Sequence, residues 1–125
     1  MRRTRLLLML CLIPLGAAAP APAAPKAKGP VAIGVGAREF SLALYRPKVR
    51  PGAVRFNLTN FGEDGHDLVV VAPSGKVVAR LDEVKGFGGR ADVEVSLRKA
   101  GTYSLYCTIA DHAARGMRVK LRVRR

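Results

Sequence analysis

The 125-residue chain has no tryptophan, three tyrosines, four phenylalanines, two cysteines and two histidines, and its nine Asp and Glu stand against 22 Lys and Arg. Each shortage excludes something. The aromatic side chains are too few for a base-stacking platform, so a net charge of +13 does not by itself argue for nucleic acid as a partner. Two histidines cannot furnish a second imidazole-rich metal centre. Apart from Leu6 to Leu15, no stretch approaches the apolar length that a membrane-spanning helix needs, and that stretch is itself too short.

The N-terminus sets the compartment. Met1 to Arg5 is a positive region, Leu6 to Leu15 an apolar core, and Gly16 to Ala24 supplies the small residues of a cleavage site between Ala19 and Ala24. Residues 1–24 are expected to be a signal peptide, and the mature protein to be exported, periplasmic and without a transmembrane segment. Residues 25–30 continue an Ala/Pro-rich tether, and residues 31–125 are expected to form one folded domain. Cys11 leaves with the signal. The mature chain then has a single thiol, Cys107, which cannot form an internal disulfide.

Within residues 31–125 the apolar period is two. Met117, Val119, Leu121 and Val123 alternate with basic residues, and the same pattern covers Phe40 to Tyr45, Val54 to Thr59 and Asp92 to Leu97. Glycine and proline turns separate these segments. Leu68 to Ala72 is apolar on both faces, as in an interior strand, and Val77 to Val84 reads either as a strand or as one helical turn. Short strands at this spacing predict an all-β sandwich or barrel. Gly34-Val-Gly36 is only a fragment of a dinucleotide loop, and Asn57-Leu-Thr59, formally a glycosylation site, falls inside a strand pattern.

The chemistry-bearing residues fall at strand ends. His66 opens the Leu68–Ala72 strand, Cys107 closes the strand from Thr102, His112 lies in the following loop, and Met117 opens the last strand. Taken singly, Met117 reads as a core residue, His66 as a strand-edge histidine and His112 as a solvated one. Taken together, the only mature Cys, both His and the only mature Met make up the donor set of a mononuclear electron-transfer copper site. Histidines committed to a metal cannot serve as general bases, so no Ser/His/Asp arrangement is available.

Three segments, "NFGEDGHDLVVV" (60–71), "GTYSLYC" (101–107) and "CTIADHAARGM" (107–117), resemble the ligand segments of cupredoxins, the type 1 blue copper proteins. The four-residue spacings from Cys to His and from His to Met are most similar to rusticyanin and sulfocyanin-like members. The resemblance implies a Greek-key β-sandwich holding one type 1 copper ion, with His66, Cys107 and His112 as strong ligands and Met117 as the weak axial one. It departs from the pattern at Asp67, where Asn or Ser is usual, and at Ala110-Asp111, where relatives have Pro-Gly. Two carboxylates there should favour the oxidised metal, unless protonation of Asp67 or a hydrogen bond from Thr108 weakens its effect.

The function expected is that of an electron carrier, not an enzyme, since a multicopper oxidase or nitrite reductase needs more histidines than this chain has. A copper carrier or storage protein using the same ligands is the alternative. Loss of Arg2, Arg3 and Arg5 with the signal leaves a net charge of +10. That predicts an acidic redox protein or an anionic membrane surface as partner, and a monomer.

Overall fold

The computed structural model describes residues 29–125; the expected signal peptide (1–24), and the expected tether up to residue 28, lie outside the described residues. The described residues form strands β1 (Val31–Arg38), β2 (Ser41–Leu44), β3 (Lys48–Val49), β4 (Gly52–Asn60), β5 (His66–Val71), β6 (Val77–Val84), β7 (Arg90–Leu97), β8 (Gly101–Tyr106) and β9 (Arg118–Val123). One sheet has the order β2-β1-β4-β7 and the other β3-β9-β8-β5-β6. Period-two alternation explains the layering: Val54, Phe56 and Leu58 point inward from β4 and meet Leu68, Leu105 and Leu121 of the second sheet in a single core without solvent contact. The architecture is an all-β sandwich, one of the two forms that the alternation allows and the one that the resemblance implies.

Several local readings change. Residues 31–38, in which the sequence showed only a glycine pair, form β1. Its glycines make room for an aromatic ring, because a Cβ on Gly34 would lie 2.7 Å from Cδ2 of Tyr45. Phe40 is not in a strand but in the turn before β2, with φ of 63°. Val77–Val84 is a strand, not a helical turn; it pairs antiparallel with β5 through two register shifts, an irregularity that blurs its period. Both sheets are mixed, with β1 parallel to β4 and β3 parallel to β9.

The topology gathers the site. β5 runs antiparallel to β8, and β8 antiparallel to β9. The start of β5, the end of β8 and the start of β9 therefore lie at one end of the sandwich. The parallel pairing of β1 with β4 brings the turn after β1 and the loop after β4 to that same end.

Candidate metal centre

At that end the side chains of His66, Cys107 and His112 converge, each buried, with one potential donor atom apiece all within 4.8 Å of one another. Cys107 Sγ lies 3.7 Å from His112 Nδ1, and the two imidazole centroids are 5.2 Å apart. Met117 is also fully buried. Its backbone ties the loop shut: Met117 N–H donates to the His112 carbonyl at 2.9 Å, and Cys107 N–H donates to the Met117 carbonyl at 3.2 Å. The 107–117 segment is braced further by Arg118, whose Nε donates to the Ala113 carbonyl at 2.9 Å.

Burial dominates the electrostatics. It pushes the His66 imidazole below its ordinary pKa, with the neighbouring His112 acting in the same direction and Glu39 opposing both. It pushes the Cys107 thiol upward. Both ring nitrogens of His66 lack a hydrogen-bond partner, an arrangement that costs about 1–3 kcal/mol per buried group when nothing compensates. A cation between the three side chains would take one of these nitrogens as a ligand and leave the other facing the Glu39 carboxylate. The set of one soft thiolate and two imidazoles fits a borderline or soft transition metal and not a hard, oxygen-seeking one.

Carboxylates surround the imidazoles from outside. His66 Nε2 lies 3.5 Å from Glu39 Oε1, and His112 Nε2 lies 3.5 Å from Asp64 Oδ2. Glu39 Oε1 accepts hydrogen bonds from the N–H groups of Glu63 at 2.6 Å and Asp64 at 2.9 Å. The Asp64 bond is the main reason that the Glu39 carboxyl is lowered to about 2. Neither approach is a hydrogen bond, so His66 Nε2 stays unpaired; what the carboxylates supply is negative charge on the outer side of each imidazole, which raises the basicity of the inner nitrogen. The sequence reading had pointed instead to Asp67 and Asp111. Asp67 accepts from Thr108 N–H at 2.5 Å and from the Thr108 hydroxyl, so it braces the start of β5 against the residue after Cys107. Asp111 is exposed and uses its carbonyl to receive the Arg115 N–H at 3.0 Å.

The loop before His66 is set by Asn60, a buried residue that the sequence reading did not single out. Its Oδ1 receives the Gly62 N–H at 2.7 Å, and its Nδ2 donates to the carbonyls of Asp64 at 2.7 Å and Val84 at 3.0 Å. The one available signal was Asn two residues before Gly, the pattern of an Asx turn. Gly62 cannot carry a side chain without displacing Glu39, whose Oε1 lies 2.1 Å from where its Cβ would sit.

The chain matches no protein-family model and no curated protein. Among solved structures it is similar to dithionite-reduced auracyanin from Roseiflexus castenholzii, with 19% identity and a TM-score of 0.66 over 78% of this chain and 100% of that one. It is similar also to auracyanin A, a "blue" copper protein from Chloroflexus aurantiacus, with 22% identity and a TM-score of 0.65 over 77% of this chain and 100% of that one. A copper-containing nitrite reductase from Thermus scotoductus shares 18% identity with a TM-score of 0.57, over 78% of this chain but 32% of its own length. At these identities the likeness establishes the fold, which is that of the cupredoxins.

Proposed function

We propose that the chain is an exported mononuclear type 1 copper protein that carries single electrons between redox partners. The observation that carries this reading is the buried trio of His66, Cys107 and His112, with donors within 4.8 Å and both His66 nitrogens unpaired. Met117, buried and bonded through its backbone to His112 and Cys107, would add its thioether to that donor set. Copper held there supplies one-electron chemistry by moving between two oxidation states.

The residues suit retention and rigidity. His66 and Cys107 adjoin the ends of paired strands and His112 sits in a self-bonded loop, so the donors are fixed from outside and little rearranges when the charge changes. All three are closed off from bulk water, an arrangement suited to holding an ion and not to handing one over. His112, 5% exposed, is the donor nearest to solvent. Its ring meets Phe40 edge-on at 5.6 Å, and that edge is where a redox partner would come closest. No helix among the described residues is long and apolar enough to cross a membrane, and we place the mature protein in the periplasm as a monomer.

The test is a visible spectrum of the protein with cupric ion. One equivalent should produce an intense thiolate-to-copper band that bleaches on reduction, and Cys107→Ser should abolish it. Tight binding without that band would show a copper carrier and overturn the electron-transfer reading.

A further inference from the structure

The end of the sandwich opposite the metal centre carries an open cleft of about 680 Å³, walled by Arg46, Lys48, Arg50, Arg124 and Arg125. Backbone pairing forces these cations together. β3 runs parallel to the end of β9, with Lys48 opposite Arg122 and Val49 opposite Val123, and the Arg124 N–H donates to the Val49 carbonyl at 2.9 Å. None of the five has an ion-pair partner among the described residues. The neighbouring connections 72–76 and 98–100 add only Lys and Arg to that end and no Asp or Glu. Concentrating like charges without counter-charges works against folding unless an external anion offsets it.

We propose that this basic pole docks on an anionic lipid surface, holding the protein with its metal end facing away from the membrane. A lipid surface fits better than an acidic protein, because a protein interface needs an apolar core depleted of charge. Here the only apolar members of the wall are Val31 and Val49. A plane of phosphate headgroups asks only for cations in a plane. The chain also enters the domain at this pole: Val31 lines the cleft, and the residues just before it include Lys26 and Lys28. β9 separates the cleft from the metal centre by about 20 Å along the strand, so docking here leaves His112 free for a soluble partner. The proposal concerns the far pole and stands whether or not the metal is copper.

The experiment is co-sedimentation of the full chain with phosphatidylglycerol vesicles and with phosphatidylcholine vesicles. One variant replaces Arg46, Lys48, Arg50, Arg124 and Arg125 with Gln. A control replaces Arg38, Arg80, Lys85, Arg90 and Lys120 with Gln, which makes the same change in net charge away from the cleft. Each cation near an anionic surface strengthens partition by about fivefold. The cleft variant should therefore lose at least about a hundredfold in phosphatidylglycerol binding, and the control less than about tenfold. Binding to phosphatidylcholine, which reads any contribution of the apolar N-terminal stretch, should be the same for all three proteins. Arg124→Gln with Arg125→Gln should give an intermediate loss. Equal losses in the cleft variant and the control would overturn the proposal. So would release by inorganic phosphate at matched ionic strength, which would mark a site for a small anion.

Discussion

Glu39 and Asp67 show what a side chain contributes that spacing cannot reveal. Asp67 stands next to a ligand in the chain and was visible for that reason, whereas Glu39 is 27 residues away from His66 in number and reaches it only because β1 and β4 end together. His66, Cys107, His112 and Met117 were legible because residue type alone singled them out; the carboxylates behind them were not, since nothing in an exposed-looking Glu announces an imidazole neighbour. At this scale Met117 is the most informative residue to change. Met117→Leu keeps the volume and apolar character of a fully buried position, so the fold should survive, and copper and colour should remain. Loss of the thioether leaves the cupric state less stabilised, so the reduction potential should rise, by about 59 mV for each tenfold loss of preference. Voltammetry of the variant checks this. Complete loss of copper would make Met117 a principal ligand.

The segment 107–117 decides whether the donors meet at all. Its path needs two unusual backbone positions: Ala110 at φ 43° and Gly116 at φ 122°. Only at Gly116 does the surrounding structure also forbid a side chain, because a Cβ there would lie 2.8 Å from the Phe40 carbonyl oxygen, with backbone on both sides of the contact. Gly116→Ala should lower stability by about 1–3 kcal/mol and weaken metal binding with it. Gly75→Ala, at φ 84° in open space on the opposite end, should cost about 1 kcal/mol and leave the metal spectrum alone. Denaturant unfolding of the metal-free variants, followed by copper titration, separates the two effects; a Gly116→Ala protein with unchanged binding would show that the Phe40 turn yields easily. Other elements were legible in proportion to their regularity. β4, β7 and β9 alternate cleanly and were read correctly. β1 was missed because its glycines accommodate Tyr45 and dilute its pattern, and the parallel pairing with β4 that completes the sandwich is a long-range choice no local period encodes.

Taken whole, the molecule is electrically lopsided, and this changes what its net charge implies. From the net charge alone the sequence suggested an acidic redox protein or an anionic membrane surface as partner. The structure does place Arg115 at the metal end, with its guanidinium 3.3 Å above the Phe40 ring, but there Glu39, Glu63, Asp64 and Asp111 offset Arg38, Lys85, Arg90, Arg115 and Arg118, while the charged side chains of the far connections 45–51, 72–76, 98–100 and 124–125 are all cations. The two ends are about 20 Å apart along β9, roughly two Debye lengths at 0.1 M salt. Far-end charge should therefore be nearly invisible to a reagent approaching His112. Two exposed alanines make the comparison direct: Ala114 lies beside His112 and Ala100 lies in the far turn between β7 and β8. Ala114→Glu and Ala100→Glu change the net charge equally. In electron exchange with hexacyanoferrate at 0.1 M salt, Ala114→Glu should slow the reaction by about threefold, the screened repulsion of a trivalent anion at close range. Ala100→Glu should leave it within the error of the measurement, and both should keep the parent visible spectrum. Stopped-flow rates across a salt series test this, since the Ala114→Glu effect should shrink as salt rises. Equal slowing by the two variants would mean that the net charge governs encounter, or that electrons do not enter at the His112 edge.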